Sequence, residues 1–515
     1  MKMSGAKMVI ESLHQEGVEV VFGYPGGAIM NVYDEIYKQN YFEHILNRHE
    51  QACVIAAEGY ARSTGKTGVA IVTSGPGFTN AITGIADAYM DSIPVVIISG
   101  QVPTTIIGTD GFQEIDAVGI SRPCTKHNYL VNKIEDLPRI IKEAFHLAST
   151  GRPGPVHVDI PKDITAQIGE FIYPSEVSMP TYKPTINYNK KQLKRAMEAI
   201  SNAKKPLLYI GGGAILSNCG YEIRDLAKKL NIPAVETLMA RGVMGDENPL
   251  FFGMLGMHGE YAANMAAHET DLLISLGARF DDRVTGRLDE FASKAKVIHI
   301  DIDPTSIAKL VVADYPIVGD LKLTVEAMIE DADNYDINDF SNWVELLKDY
   351  REKEPLRYID TDDLIKPQWP IQRVGKILGD NAIISTDVGQ HQMWTAQFFP
   401  FSHPRQWITS GGLGTMGFGL PAALGAARAF KGTNRVVVNF TGDGSILMNI
   451  QELMTCSEYE LPVINIVLNN NYLGMVRQWQ TMFYENRLAE TDLSAQPKFK
   501  MLAEAFNCLG YTVST

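Results

Sequence analysis

The sequence is poor in cysteine and has no long hydrophobic run. Its 515 residues include five cysteines that are far apart in the chain: Cys53, Cys124, Cys219, Cys456 and Cys508. Without a CxxC pair or a His/Cys cluster, they argue against a zinc site and a disulfide framework. An odd number of cysteines without a signal peptide indicates a reducing compartment, so we expect a cytoplasmic protein. No run of about 18 apolar residues is present, and we expect no membrane span.

Positive charge is also in short supply. The chain has 46 Lys and Arg against 60 Asp and Glu, which gives a net charge of −14. Such a chain has no general attraction to nucleic acid or to an anionic membrane, and we expect neither as a partner. Hydrophobic residues at 45% and charged residues at 21% are typical of globular proteins and exclude disordered, collagen-like and coiled-coil classes.

The common nucleotide-binding fingerprints are missing. A G-x-G-x-x-G motif that started at Gly442 or Gly211 would need glycines where the chain has Leu447 and Leu216. No G-x-x-x-x-G-K-[ST] loop is present either. These absences disfavour an NAD-dependent dehydrogenase and a P-loop ATPase.

Short apolar strands, Gly-rich turns and amphipathic helices alternate along the chain in three regions. Strands that are apolar on both faces predict parallel sheets covered by helices. We therefore expect an α/β protein with three doubly wound parallel-sheet domains at residues 1–165, 191–335 and 371–515, joined by linkers at 166–190 and 336–370. The third region is short for a doubly wound domain, so we expect that domain to be truncated at its C-terminal end.

Two motifs follow successive predicted strands in the third region. Gly442-Asp443-Gly444-Ser445 comes after VVVNFT, and Asn470 comes after VINIVL. Because ligands bind at the carboxyl ends of strands in open α/β sheets, Asp443 and Asn470 can lie together as oxygen ligands for Mg²⁺. The glycines allow backbone N–H groups to approach a diphosphate. A tight turn followed by a polar loop is the alternative, which GDG alone would favour but the pair of motifs does not.

These motifs resemble those of thiamine diphosphate enzymes. The chain is further similar to the catalytic subunits of acetohydroxyacid (acetolactate) synthases in the segments GQVPT, DGFQEID, GRPGPVHVDIPKDI, LGMHG, GARFDDRVTG, VGQHQMW, GTMGFGLPAALGA and LGMVRQWQ. The resemblance runs from about residue 4 to the chain end. RFDDRVTG and MVRQW favour this family over pyruvate oxidase, glyoxylate carboligase and the FAD-free catabolic acetolactate synthase.

The resemblance implies a reaction and assigns residues to it. Pyruvate would be decarboxylated on thiamine diphosphate and its two-carbon unit joined to pyruvate or 2-oxobutanoate, the first common step of branched-chain amino-acid biosynthesis. Glu50, in RHEQAC, would hydrogen-bond the aminopyrimidine and promote loss of the C2 proton. Arg283 would bind the carboxylate of the acceptor, and Trp479 would pack on its alkyl group and favour 2-oxobutanoate. Gln113 and Lys162 would line the same cavity.

Each of these side chains also has a plain structural interpretation. Glu50 and Arg283 would otherwise be surface charges, and Trp479 a core residue. Lys162 could equally be a capping charge.

The remaining site residues are implied by the resemblance only. The thiamine diphosphate contacts would be Gly26, Pro76, Asn80, Val388, Gly389, Gln390, His391, Gly414, Met416, Gly444, Ser445, Leu473, Gly474 and Met475. The Mg²⁺ ligands would be Asp443, Asn470 and Tyr472. The FAD contacts would be Arg152, Gly211, Gly212, Gly213, Thr237, Leu238, Met257, His258, Gly277, Arg279, Asp301, Ile302 and Asp320. Since the reaction has no net redox step, FAD would be structural or a relic.

The resemblance also implies an assembly, and one residue departs from the family pattern. The family forms homodimers or homotetramers in which Glu50 of one chain meets the Asp443 site of another, with a small regulatory subunit as a further partner. Phe78 stands in GPGFTN where a small residue is usual, and we expect it to narrow the wall beside the cofactor. Two alternatives stay open: an FAD-dependent pyruvate oxidase and a cofactor-binding homologue without activity.

Overall fold

The computed structural model describes residues 1–361 and 363–514. Positions 362, in the predicted second linker, and 515, at the end of the predicted third domain, lie outside the described residues. The chain divides into two compact units, one formed by residues 1–183, 383–391 and 408–513 and the other by the described residues of 184–382 and 392–407. No helix in the described part of the chain is long and apolar enough to cross a membrane.

The N-terminal part of the first unit is a parallel sheet covered by helices. Its strands are β1 (Lys2–Ser4), β2 (Val20–Gly23), β3 (Glu43–Leu46), β4 (Gly68–Val72), β5 (Val95–Gln101), β6 (His127–Leu130), β7 (Val156–Pro161) and β8 (Ile168–Glu170). Its helices are α1 (Gly5–Gln15), α2 (Met30–Lys38), α3 (Glu50–Thr64), α4 (Pro76–Asp91), α5 (Ala117–Ser121), α6 (Leu137–Ser149) and α7 (Lys162–Ala166). The six parallel strands have the order β3-β2-β4-β5-β7-β6. Every residue of β4, β5 and β7 is buried, as the continuous apolar runs predicted.

The predicted linker at 166–190 is not wholly irregular. Strand β8 lies within it and pairs antiparallel with β1, with Met3 opposite Gly169. A strand of three residues is too short to show the period-two alternation from which strands are recognised in a sequence.

The second unit contains another parallel sheet. Its strands are β9 (Pro206–Ile210), β10 (Ala234–Glu236), β11 (Phe251–Met254), β12 (Leu272–Leu276), β13 (Lys296–Asp301) and β14 (Tyr315–Val318). Its helices are α8 (Lys190–Asn202), α9 (Gly213–Leu216), α10 (Gly220–Leu230), α11 (Tyr261–Glu269), α12 (Asp282–Thr285), α13 (Leu321–Asp331), α14 (Ser341–Lys353) and α15 (Gln368–Leu378). The order β11-β10-β9-β12-β13-β14 reverses direction between β9 and β12, which makes their carboxyl ends the expected ligand crevice.

The third sheet belongs mainly to the first unit. Its strands are β15 (Ala382–Thr386), β16 (Trp407–Ile408), β17 (Val436–Gly442) and β18 (Val463–Leu468). The helices of this region are α16 (Gln390–Phe398), α17 (Gly419–Ala429), α18 (Glu452–Glu458), α19 (Gly474–Phe483) and α20 (Phe499–Ala505). Among the described residues the strand order is β16-β15-β17-β18. Short 3-10 helices lie at Arg122–Cys124, Ile134–Asp136, Leu238–Ala240, Ala332–Asn334, Gly379–Asn381 and Ile446–Met448. The three parallel sheets confirm the predicted fold class.

Two buried helices of the first unit cross with their backbones in contact. A Cβ atom at Gly59 of α3 would lie 2.1 Å from the carbonyl oxygen of Ala422. A Cβ atom at Gly425 of α17 would lie 1.9 Å from the carbonyl oxygen of Ala56. Interiors are close-packed, so neither carbonyl can withdraw without moving its helix. Glycine is therefore required at both positions, even though it is a poor helix former.

Gly425→Ala tests this contact, because the contact decides whether the substitution raises or lowers the free energy of unfolding. In an open helix, the change would stabilise the protein by about 1 kcal/mol because alanine has the better helix propensity. Here the added methyl group meets backbone, and we expect a loss of about 3 kcal/mol in the free energy of unfolding, the upper range for overpacking. Urea denaturation of both proteins measures it. Gly27→Ala, in a turn before α2 where an added Cβ meets nothing within 4 Å, is the control for a methyl group without contacts. Equal or greater stability of Gly425→Ala would contradict the described contact.

Candidate active site

Glu50 occupies the first position of α3. His49 caps the helix by accepting a hydrogen bond from the Gln51 N–H at 3.2 Å. The Glu50 side chain is buried, and its Oε2 accepts a hydrogen bond from Asn80 Nδ2 at 3.0 Å. Asn80 lies early in α4, which begins at Pro76. The surface-charge interpretation of Glu50 is therefore wrong, because the carboxylate is enclosed and held by an amide.

Two glycine turns close around Thr73 beside Glu50. Cβ atoms at Gly26 and Gly77 would lie 2.4 Å and 2.6 Å from Thr73 Cγ2, and the one at Gly77 would lie 3.3 Å from Glu50 Oε1. The hydroxyl oxygens of Thr73 and Ser74 are buried and have no hydrogen-bond partner among the described residues. Since buried polar groups normally find partners, these hydroxyls fit a polar ligand such as an aminopyrimidine.

Three predicted diphosphate segments meet at the carboxyl ends of β15, β17 and β18. The His391 ring packs against two glycines: a Cβ at Gly442 would lie 3.0 Å from His391 Cε1, and one at Gly389 would lie 2.7 Å from the same atom. The third segment reaches the first through Asn470, whose Nδ2 is 3.5 Å from Gln390 Oε1. The structure thus brings residues that are about 80 positions apart to one edge of the sheet, as the strand-end motifs predicted.

Asp443 contacts the loop that carries Asn470. Its carboxylate accepts a hydrogen bond from Gln496 Nε2, and the nearby Asn471 backbone N–H, which donates to Asn469 Oδ1 at 3.1 Å, favours its ionised form. Burial raises the pKa of the Asp443 carboxyl, and a divalent cation would favour the ionised form instead. Asn470 Oδ1 accepts a hydrogen bond from the Tyr472 N–H at 3.0 Å.

The predicted magnesium ligands differ in chemistry from a carboxylate cluster. No group of three His, Cys, Asp or Glu side chains in residues 1–361 and 363–514 could hold a metal ion. The predicted set contains one carboxylate, so it suits a small hard cation that keeps its other positions for phosphate and water.

Glycine also shapes the start of α19. A Cβ at Gly474 would lie 2.1 Å from Gln390 Oε1 and 2.9 Å from Asn470 Nδ2. Gln390 in turn donates a hydrogen bond to Gln478 Oε1 at 3.0 Å. Leu473 precedes the helix and donates its N–H to the Thr491 carbonyl at 2.9 Å. The side chains of Gln390, Asn470 and Gln478 form a polar cradle beside Gly474.

Asp387 is a buried residue that the sequence motifs did not identify. Its Oδ1 accepts hydrogen bonds from the N–H groups of Gly417 at 2.7 Å and Gly419 at 3.1 Å. Its Oδ2 accepts a hydrogen bond from Thr441 Oγ1 at 2.7 Å. Burial raises the pKa of this carboxyl. Asp387 therefore joins the segment that carries Met416 to the strand that ends in the GDGS turn. The position of Asp387 directly after the buried strand β15 was the available signal.

The predicted substrate residues are dispersed over both units. In the first unit, Gln113 adopts a left-handed backbone with φ of 59° and packs on Gly75. Lys162 is exposed at the first position of α7, where a positive charge opposes the helix dipole, so the capping alternative is not favoured. Trp479 on α19 is 39% exposed, so the core interpretation is wrong. Arg283 lies in the second unit with its side chain 62% exposed. That these residues line one cavity stays a prediction.

The predicted FAD residues of the second unit follow the carboxyl ends of its parallel strands. They lie after β9 (Gly211, Gly212, Gly213), β10 (Thr237, Leu238), β11 (Met257, His258), β12 (Gly277, Arg279), within and after β13 (Asp301, Ile302) and after β14 (Asp320). Thr237 Oγ1 is buried without a hydrogen-bond partner in the described part of the chain. Met257 donates its N–H to the Arg283 carbonyl at 2.8 Å. The location and the buried hydroxyl both fit a bound nucleotide.

The glycines after β9 also have a packing role. Cβ atoms at Gly211 and Gly213 would lie 2.3 Å and 2.9 Å from the carbonyl oxygen of Gly277. The two turns on either side of the crevice therefore touch backbone to backbone. Arg152, the FAD residue predicted in the first unit, donates its Nε–H to Ser92 Oγ at 2.8 Å.

Phe78 is directed into its own domain. Its ring is fully buried and stacks on His157 with centroids 4.3 Å apart. The larger residue therefore fills space in the interior of the domain.

Three sequence profiles of one enzyme family match the chain. The profile described as thiamine pyrophosphate enzyme, N-terminal TPP binding domain, matches residues 3–120. The central-domain profile of that family matches residues 193–328, and its C-terminal TPP binding domain matches residues 387–515.

Relatives from three organisms match almost the whole chain. The acetolactate synthase isozyme 3 large subunit of Escherichia coli (strain K12) is 49% identical over 518 residues, 99% of this chain and 90% of that protein. The acetolactate synthase large subunit of Haemophilus influenzae is 50% identical over 520 residues, 100% of this chain and 90% of that protein. The probable acetolactate synthase large subunit of Methanocaldococcus jannaschii is 47% identical over 514 residues, 98% of this chain and 86% of that protein.

Gly474→Ala tests the polar cradle at the start of α19. The added methyl group meets the flexible ends of Gln390 and Asn470, so we expect the melting temperature to stay close to that of the unaltered protein. Displacing these side chains should weaken the binding of thiamine diphosphate with Mg²⁺ by about tenfold, the worth of one or two hydrogen bonds. Calorimetric titration measures the affinity. Met482→Ala, an exposed change on the same helix, is the control. If Gly474→Ala binds with unchanged affinity, the cradle is not part of the cofactor site.

Proposed function

Because the chain belongs to the acetolactate synthase large subunits, a branch of the thiamine pyrophosphate enzymes, we propose that it forms 2-acetolactate from two molecules of pyruvate and 2-aceto-2-hydroxybutanoate from pyruvate and 2-oxobutanoate. The observation that carries the proposal is the enclosed Glu50 carboxylate, which Asn80 holds near Thr73, one of two buried hydroxyl residues that have no hydrogen-bond partner in the described part of the chain. This is the arrangement that proton transfer to a bound heterocycle requires: a fixed acceptor in a site that excludes water.

Glu50 is proposed to hold a proton against the pyrimidine ring. Thiamine diphosphate, when bound, supplies the carbon that takes up the two-carbon unit and the ring that accepts the electrons released with CO₂. Asn80 occupies Glu50 Oε2, which leaves Oε1 as the oxygen that faces Gly77 and its turn. Because glycine has no side chain there, the ligand can reach Oε1. Burial of the carboxylate keeps water from competing for the proton.

The diphosphate and its cation are assigned to the edge of the third sheet. Asp443, Asn470 and Tyr472 would hold Mg²⁺, because their oxygen atoms match the preference of this ion. The Gly-rich turns would present backbone N–H groups to the phosphates, and His391 and Gln390 would add side-chain donors. The contacts between these segments support the proposal, since residues from three strand ends share one edge.

FAD is assigned to the second unit. Its predicted contacts follow the strand ends on both sides of the crevice between β9 and β12, and the buried Thr237 hydroxyl lies among them. The proposed reaction has no net oxidation, so the flavin would order this unit and take no electrons.

The acceptor 2-oxo acid is assigned to Arg283 and Trp479. A guanidinium binds a carboxylate through two parallel hydrogen bonds and so sets the angle of the acceptor. The exposed indole of Trp479 offers a face for the acceptor's alkyl group. One extra methylene in an apolar site is worth about 1–3 kcal/mol, which predicts a moderate preference for 2-oxobutanoate.

The proposed assembly is a homodimer or homotetramer in the cytoplasm. In it, Glu50 of one copy faces the Asp443 edge of the other, and each site is completed by both copies. The relatives are named large subunits, which supports a small regulatory subunit as a further partner.

Product analysis tests the reaction. The protein is incubated with thiamine diphosphate, Mg²⁺, FAD and pyruvate, with and without 2-oxobutanoate, and the products are separated. We expect acetolactate from pyruvate alone and mainly 2-aceto-2-hydroxybutanoate when both acids are supplied. A parallel incubation contains an artificial electron acceptor. Reduction of that acceptor without formation of acetolactate would establish the pyruvate oxidase alternative. If neither acetolactate nor reduced acceptor is formed, only the inactive homologue remains.

Glu50→Gln tests the proton-transfer role. Glutamine keeps the shape and can bond Asn80, but it cannot hold a proton in the same way, so carboligation should fall by about 10²–10⁴-fold. Calorimetry should show that thiamine diphosphate and Mg²⁺ still bind. The exposed change Glu170→Gln in the same domain is the control. Unchanged turnover in Glu50→Gln would refute the assignment.

A further inference from the structure

Arg62, near the end of α3, is surrounded by carboxylates inside the first unit. Its Nη2 lies 3.1 Å from Glu58 Oε2, 3.3 Å from Asp87 Oδ1 and 2.9 Å from Asp91 Oδ2. The Arg62 side chain is 6% exposed and none of the three carboxylates exceeds 2%. One buried positive charge thus faces three acidic groups.

Glu58 lies one helical turn before Arg62 on α3. Burial and the neighbouring Asp87 raise the pKa of the Glu58 carboxyl well above its usual range. Glu58 Oε1 is buried and has no hydrogen-bond partner among the described residues. Arg62 also pairs with the two aspartates at the end of α4, and burial raises the pKa of Asp87 as well.

The two aspartates hold a segment that lies more than 300 positions further along the chain. Asp87 Oδ2 accepts hydrogen bonds from Ser410 Oγ and Thr415 Oγ1, both at 2.5 Å. Asp91 Oδ2 accepts a hydrogen bond from the Gly411 N–H at 3.0 Å, and its Oδ1 accepts one from the Gly412 N–H at 2.7 Å.

Ser410 connects Asp87 to the middle of the segment through hydrogen bonds. Its Oγ accepts hydrogen bonds from the N–H groups of Gly414 at 3.0 Å and Thr415 at 2.9 Å while it donates to Asp87. Gly414 has φ of 76°, a left-handed conformation that glycine adopts without strain, and these bonds select it from the many conformations open to glycine. At the other end, the Arg62 guanidinium lies over the Phe418 ring at 5.2 Å.

We infer that Asp87 and Asp91 are positioning residues, which fix the backbone of Ser410–Gly417 so that Gly414 and Met416 are in place before thiamine diphosphate binds. The inference rests on the proposed function, which assigns Gly414 and Met416 to the aminopyrimidine. Neither aspartate touches the cofactor in this scheme: both act through the segment they hold. Arg62 is their common anchor, and Asp387 holds the far end at Gly417.

The cluster offers a matched set of variants. Asp87→Asn and Asp91→Asn each replace a carboxylate oxygen, which accepts hydrogen bonds from the segment, by an amide that donates. Glu58→Gln changes the third carboxylate around the same Arg62 but touches no residue of the segment in the described contacts. All three remove one acidic group from one buried cluster.

The first measurement uses the cofactor-free protein. Amide hydrogen exchange followed by mass spectrometry reports the protection of peptides that cover 410–417. We expect Asp87→Asn and Asp91→Asn to raise exchange there by at least about tenfold, since charge-assisted hydrogen bonds are lost. Glu58→Gln should exchange as the unaltered protein does. Equal protection in all variants would overturn the inference.

The second measurement is thiamine diphosphate affinity in the presence of Mg²⁺, taken well below each melting temperature. We expect a Kd at least about tenfold higher for the two aspartate variants and unchanged for Glu58→Gln. An equal loss in Glu58→Gln would show that the cluster acts only through overall stability and would overturn the positioning role.

A further variant keeps the inference testable if the aspartate variants do not fold. If the aspartate variants do not fold, Ser410→Ala keeps Arg62 and its three carboxylates and removes the hydrogen bond to Asp87 together with those from Gly414 and Thr415. It should then show the same raised exchange and the same higher Kd, and wild-type values would overturn the inference. An unaltered protein that binds no thiamine diphosphate would refute the proposed function and this inference with it, whereas normal binding with unaffected variants refutes the inference alone.

Discussion

Direct contact between the backbones of α3 and α17 is the constraint on which the first unit depends. Two helices approach this closely only where neither presents a side chain, and Gly59 and Gly425 supply those positions. The same helix α3 begins with Glu50 and carries Arg62 near its end. Shifting α3 along its axis would therefore move the proton-transfer group and the anchor of Ser410–Gly417 together. Because each proposed site takes Glu50 from one copy and the Asp443 edge from the other, this packing contact links, within one chain, parts of two proposed sites.

Buried carboxylates are the second organising element. Asp387, Asp87 and Asp91 are enclosed and accept hydrogen bonds from backbone N–H groups or hydroxyls of segments without regular structure. Taking such groups out of water is unfavourable unless every oxygen finds partners. The loops that satisfy them are consequently held in one conformation. Glycine-rich segments would otherwise have the greatest backbone freedom in the chain.

Much of this could be predicted from the sequence, because its signals are local. Apolar runs such as those of β4 and β5 predicted buried parallel strands, and the GDGS turn with Asn470 predicted neighbouring strand ends. The motif resemblance predicted the family that the profiles and relatives confirm. The roles of Asp387, Asp87 and Asp91 could not be predicted, since their partners are distant in the chain and only packing decides which carboxylate meets which loop. The pairing of β8 with β1 was missed because three residues show no period.

The paired glycines of α3 and α17 also bear on how this chain can be recombined with its relatives. The residues in contact are separated by more than 360 positions, so most crossover points between two parental genes would divide them. A chimaera would then join an α3 from one parent to an α17 from the other, and their surfaces need not fit. The two helices form a single unit of inheritance, and a crossover scheme that takes both from one parent leaves the remaining segments free to be exchanged.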